Sequence, residues 1–213
     1  MARLTQAHID ARRDAIRDAA QRLFVRKGVE GARMEEIAAE AGLSAGAIYR
    51  YFPSKEHLLR AVIAGHVRHN EALFHDASEG EATPLSLLLA KGRLVWEQLG
   101  TDEGREHCIV GMESALAAAR YGGAVAEERR HMWRGAFDFG EMLLRLAQDE
   151  GEVDPTLDAQ ALSRVLLAAW VGLGVFSLDF GDELGTEECF RTVVQLLRHC
   201  APGRPTDKED SDG

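Results

Sequence analysis

Apolar residues return along this chain at helical intervals almost from its start. Ile16, Ala19, Ala20, Leu23 and Phe24 follow the i, i+3, i+4, i+7, i+8 spacing of a buried helix face. The pattern predicts a first helix starting at Thr5 or Asp10. Arg26 and Lys27 fall in its last turn, and Gly28 ends it, as the helix dipole and the positive φ open to glycine favour. Ile37, Ala38 and Ala41 then mark a short second helix. Gly42 ends it, Leu43 plugs the angle, and Ser44 offers an oxygen to cap a third helix that turns Ile48 inward. Pro53 forbids continuation. Ser54 caps a longer helix over residues 54–74, with Glu56 in its first turn and Leu58, Leu59, Val62 and Ile63 packing it on the first three.

The pattern continues to the last quarter of the chain without a convincing strand or an internal repeat. A polar turn at 76–84 (DASEGEATP) separates the first domain from the second. Helical patterns follow at 85–99, 108–121, 124–150, 158–180 and 186–200, with breaks at 101–104, 122–123 and 151–155. The polar tail 201–213 reads as disordered. The prediction is an all-α protein of about nine helices. Residues 1–53 form a first domain, 54–75 a connecting helix, and 76–200 a second helical domain.

Residues 34–55 organise this layout. Two short helices joined by a turn containing glycine describe a helix-turn-helix, whose second helix enters the major groove of DNA. A net charge of −10 at first argues against that. Residues 1–60, however, hold eleven Lys and Arg against eight Asp and Glu, a balance of +3 that leaves −13 for the rest. The basic excess lies with the motif, and the acidic bulk steers DNA toward that end.

The remaining composition narrows the setting. With 46% hydrophobic and 28% charged residues the chain can bury a core. No apolar run approaches the ~18 residues that a membrane span needs, and the N-terminus lacks the apolar core of a secretion signal. Cys108, Cys189 and Cys200 are odd in number and widely spaced, which fits a reducing cytoplasm.

Phe24, Gly28 to Gly31, Ile37-Ala38, Ala41-Gly42, Ser44, Tyr49, Tyr51-Phe52 and Ser54-Lys55-Glu56 together resemble the tetracycline-repressor (TetR) family of transcription regulators. The specific match covers residues 10–65 and is carried above all by the run YRYFPSKEHLL. The resemblance implies a homodimer paired through the last two long helices, about 158–200. It also implies a double-stranded DNA operator, a small-molecule effector, and phosphate contacts from Tyr49, Tyr51 and Lys55. Repression is implied on the same ground. Two departures stand out: Arg33-Met34 replaces the usual Thr or Ser cap of the first motif helix, and Ala47 replaces a common Thr.

The candidate DNA-binding residues are Arg33, Ser44, Ala45, Gly46, Ala47, Tyr49, Arg50, Tyr51 and Lys55. Ala45, Gly46 and Ala47 leave the helix front bare for a deep approach, and an alanine methyl can meet a thymine methyl. Arg50 is the best base reader, able to grip guanine O6 and N7, or else a phosphate ligand. Tyr51 is either a backbone contact or a core aromatic beside Phe52. Arg12, Arg13 and Arg17 either meet phosphate or form a solvated face balanced by Asp10, Asp14 and Asp18.

The effector candidates are Trp96, Met112, Trp133, Phe137 and Trp170, bulky residues on different helices that would serve equally well as plain core. Glu113 is either an anchor for a cationic ligand or a solvated flank, and His107 and Cys108 are weaker candidates. The wide apolar band of residues 162–180, with Gly172 and Gly174 inside it, suits close approach of a partner helix. His66, His69 and His75 cluster without a carboxylate or Cys set at ligand spacing, so neither metal nor cofactor is expected. Gly42-Leu43-Ser44-Ala45-Gly46 matches G-x-S-x-G, but a helix precedes it where a nucleophile elbow needs a strand, so an enzyme is not expected. The competing class is an all-α ligand-binding or enzymatic protein in which the helix-turn-helix is incidental.

Overall fold

The computed structural model describes residues 6–77 and 83–199. Thr5 as a helix start, the middle of the 76–84 turn, Cys200, the tail 201–213, and the side chains of His69 and His75 lie outside the described residues. The described chain is all-α, with nine α-helices and no strand. They are α1 (Gln6–Gly31), α2 (Met34–Glu40), α3 (Ala45–Ile48), α4 (Lys55–Ala77), α5 (Pro84–Leu99), α6 (Asp102–Tyr121), α7 (Gly123–Asp149), α8 (Ala159–Phe180) and α9 (Thr186–His199), with a 3-10 turn Gly181–Leu184 between the last two.

The first core forms where the apolar spacing places it. Ile16, Ala19, Ala20 and Phe24 of α1, Ile37 and Ala38 of α2, and Ile48 of α3 are fully buried, together with Leu58 and Leu59 of α4. Val110 of α6 and Val125 of α7 belong to the same cluster, so these two helices share the core of the first four. A second cluster lies at the far end, built on Leu85, Leu144, Ala147, Val153, Ala159 and Leu197. Helix α4 packs against α1 on one side and α5 and α7 on the other.

The turn after α2 shows how locally this geometry is set. Leu43 N–H donates to Ala38 O at 2.8 Å and Gly42 N–H to Ala39 O at 3.1 Å, the paired bonds that close a helix on a left-handed glycine. Gly42 has φ 67°. The half-buried Leu43 packs against the first core and fixes the angle to α3.

Three boundaries differ from expectation. Gly28 (φ 71°, ψ 164°) kinks α1, and one more turn follows to Gly31. Residues 101–104 are the cap and first turn of α6: the Thr101 hydroxyl accepts from Gly104 N–H at 3.0 Å, and Asp102 and Glu103 sit where the dipole favours anions. The Gly181–Leu184 turn had no distinct apolar signature. The expectation that no segment could cross a bilayer does not hold for α8, which with this turn is long and apolar enough by length and composition.

Gly28 yields a first expected result. Its backbone lies in a region that side chains rarely adopt, and an added Cβ would stand 3.1 Å from the Glu113 carboxylate. Gly28→Ala is expected to lower the unfolding free energy by about 1–3 kcal/mol, read as a lower urea midpoint at unchanged slope.

Candidate nucleic-acid interface

Helix α3 is only four residues long, and its outer surface is bare. Ser44, Ala45, Gly46, Tyr49 and Arg50 are exposed, Ala47 is half-buried, and Ile48 is fully buried beneath them. A Cβ added at Gly46 would meet nothing within 4 Å. Ser44 has the extended backbone of an N-cap, but its hydroxyl caps nothing; the capping expected of it is absent, and the oxygen faces outward. In the first motif helix the missing Thr or Ser is partly replaced by Glu36, whose carboxylate accepts from the Arg33 backbone N–H at 3.3 Å.

The cations near this surface divide into committed and uncommitted. Arg22 and Arg26 both bind Glu40, and Lys27 binds Glu36 at 2.8 Å. Hydrogen bonds from Arg26 and then Arg22 hold the Glu40 carboxyl below its ordinary pKa, and Lys27 does the same for Glu36. Arg17 pairs with Asp14. Arg13 donates to Tyr51 O at 3.0 Å and lies 4.5 Å over the Phe52 ring. By contrast, the side chains of Arg12, Arg33 and Arg50 make no ion pair among the described residues. The acids beside the motif are therefore largely neutralised within the chain, and Arg33 and Arg50 remain exposed on the motif itself.

Three expected contacts have alternative partners. The Tyr49 hydroxyl donates to Glu35 at 3.2 Å; loss of solvent and then the Glu35 charge push the phenol above its ordinary pKa. Tyr51 is half-buried against the first core, so its ring is at least partly structural. The Lys55 ammonium donates to Glu30 O (2.9 Å) and Ala32 O (3.0 Å), tying α4 to the carbonyls between α1 and α2. Spacing could not reveal that bond, because it crosses 25 positions of sequence.

The second domain holds a cavity of about 110 Å³ between α5, α7, α8 and α9. Trp96 and Trp170 line it, as do Phe139 and Phe190. Met112, Trp133 and Phe137 are absent from its wall; Trp133 and Phe137 are half-buried and stack on each other at 6.3 Å. Glu113 is also absent from the wall. Its carboxylate accepts from Val29 N–H at 2.8 Å, so it belongs to the joint between α6 and α1. Other bonds cross the same joint. Gln21 donates to Glu106 at 3.2 Å and pairs with the His66 ring at 2.9 Å, and Glu30 accepts from Arg120 and Tyr121. His66 also packs edge-on against His107 at 4.1 Å. No group of three His, Cys, Asp or Glu at metal-holding distance stands among the described residues.

The family model for bacterial regulatory proteins, tetR family, matches residues 16–62, the helices just described. The chain carries the DNA-binding end of the tetR family at residues 16–62. It is a DNA-binding regulator of transcription, and its G-x-S-x-G lies at a helix-to-helix turn. Among relatives, the A-factor receptor protein of Streptomyces griseus is 26% identical over 188 residues, covering 88% of this chain but only 62% of that protein. The transcriptional repressor BepR of Brucella suis is 27% identical over 204 residues, covering 92% and 96% of the two chains. The tetR-family fold recurs in FadR of Bacillus subtilis, solved in complex with stearoyl-CoA, with a TM-score of 0.73 at 20% identity over 87% of this chain and 97% of that one.

Proposed function

We propose that this tetR-family regulator binds a palindromic operator as a homodimer, represses transcription there, and releases DNA when a small molecule enters the cavity between α5, α7, α8 and α9. The observation that carries the DNA reading is the exposed Ser44–Arg50 surface with an uncommitted Arg50 above a buried Ile48. In this reading Arg50 reads a base, Ser44 and Tyr49 donate to phosphates, and Ala45, Gly46 and Ala47 let the backbone approach. Arg33 adds a phosphate contact. Tyr51 and Lys55 position the motif at least as much as they touch DNA. The cytoplasm is the setting in which such a protein meets its operator.

The dimer rests on α8. Val165, Phe176 and Phe180 are 62%, 52% and 54% exposed, and with Ala169 and Gly172 they form one stripe at helical spacing. A Cβ at Gly172 would meet nothing within 4 Å. On α9, Leu196 is 62% exposed. A second copy covering this stripe, rather than a bilayer, accounts for the apolar length of α8 and places two recognition helices on one face of the duplex, ~34–36 Å apart or a multiple of that. The effector reading draws on two similar proteins, an A-factor receptor and a FadR solved in complex with stearoyl-CoA. The joint of Glu113 with Val29 offers a path by which a shift of α6 reaches the DNA-binding end.

The test is selection of duplex fragments from a random pool by wild type, Arg50→Ala and Tyr49→Phe. An enriched palindrome is expected. Arg50→Ala should relax one symmetric position at a cost of about 1–3 kcal/mol per half-site, and Tyr49→Phe should weaken all sequences alike. Affinity must fall steeply between 50 and 200 mM salt, by roughly 10³–10⁵ if 6–10 phosphates are neutralised. No enrichment and no salt dependence would refute the DNA reading.

A further inference from the structure

The cavity is lined mostly by carbon, and one polar atom of a lining residue is buried without a partner. Trp96 lies one turn beyond Gly92 on α5 and is only 8% exposed. Its ring meets the ring of Phe190 from α9 at 5.6 Å, and both line the cavity. The Phe190 ring also packs over Gly92, where an added Cβ would sit 3.4 Å from it. The Trp96 Nε1–H is buried and has no acceptor, the single such side-chain atom among the described residues.

The other polar groups on the wall are engaged. The Ser163 hydroxyl donates to Phe137 O at 2.9 Å, and an added Cβ at Gly140 would stand 2.5 Å from that oxygen, so α7 closes over it. The Lys91 ammonium lies 4.2 Å over the Phe139 ring, where the face of the π system holds it. An indole N–H can donate and cannot accept. A buried donor without a partner has lost its water without replacement, and a ligand that supplies the acceptor recovers that cost on binding. A purely hydrocarbon ligand would leave it in place.

We propose that the effector is a largely apolar molecule carrying an uncharged carbonyl-type oxygen that accepts from Trp96 Nε1–H inside this cavity. The proposal rests on the reading of the cavity as the effector site. The apolar wall binds the hydrocarbon part, and the indole selects for the oxygen. At about 110 Å³ the cavity holds a small ring, or one end of a longer molecule.

Acetophenone and ethylbenzene test this, because they differ chiefly by a carbonyl in place of a methylene. Both are titrated into the full-length protein and into Trp96→Phe. The ratio of the two affinities is expected to fall about tenfold in the variant, a comparison that cancels their different hydration. In the wild type, three tryptophans give three indole N–H resonances. The one missing from Trp96→Phe should move with acetophenone and stay in place with ethylbenzene. Should that variant fold poorly, Trp133→Phe and Trp170→Phe assign the other two resonances and leave Trp96 by elimination. Binding of both probes with an unchanged ratio and an unmoved Trp96 resonance would overturn the hydrogen bond and leave the cavity as the effector site. Binding of neither probe would overturn both.

Discussion

A double substitution on α8, Val165→Glu with Phe176→Glu, is expected to convert the protein to a monomer and to lower operator affinity by about 10²–10⁴. Both side chains are more than half exposed in the single chain, and they lie eleven positions apart, three turns along one face. A Glu at each site costs the isolated subunit little. In a dimer each charge would be driven into an apolar contact and desolvated, which a pair of helices cannot absorb without separating. The loss on DNA follows from geometry: a dimer's second half-site binds at the high effective concentration set by the first, and a monomer has no such second event. Sedimentation equilibrium reads the mass, and operator titration reads the affinity. A variant that remains dimeric would show that α8 is not the interface. A variant that becomes monomeric but keeps full affinity would show that one recognition helix suffices.

The exposed stripe on α8 and the buried stripe on α1 were equally legible as periodicity, yet they mean different things. Ile16, Ala19, Ala20 and Phe24 are fully buried within their own chain because α2, α4 and α6 arrive to cover them. Val165 and Phe176 have the same spacing logic, but both stay more than half exposed among the described residues. Periodicity reports that a face is apolar, and the rest of the fold decides what covers it. The DNA-binding end was legible because its signals are local: a glycine turn, a proline stop and a short run of small residues. What spacing missed there were contacts made by long side chains across the fold, such as Lys55 on Glu30 O.

The cavity of the second domain was read less well for the same reason. Large side chains on four helices can meet in many combinations, and only the packing of α5, α7, α8 and α9 selects Trp96 and Trp170 while leaving out Met112, Trp133 and Phe137. Phe190 could have been found, since it heads the apolar face of α9 with Val193 and Leu197 at i+3 and i+7. Glu113 could not. Its partner is a backbone N–H exposed by the kink at Gly28, and nothing in the sequence near residue 113 announces that donor.

Phe52→Ala is expected to lower the unfolding free energy by about 3–5 kcal/mol. Phe52 is 1% exposed, and its backbone N–H donates to Ile48 O at 3.0 Å, so the ring anchors the turn that ends the recognition helix. The Arg13 guanidinium lies over its outer face, and removing the ring takes away that contact together with the buried surface. A helix of four residues has no stability of its own and holds its place only by what is buried beneath it. Ile48 and Phe52 are its two fully buried anchors. The expected pattern is therefore two-fold: a lower urea midpoint for the whole chain, because α6 and α7 share this core, and a loss of operator affinity larger than the unfolded fraction explains. Circular dichroism and operator titration on the same sample separate the two. Affinity that falls only in step with the unfolded fraction would mean that α3 keeps its geometry without the ring, and Phe52 would then be a residue of the core alone.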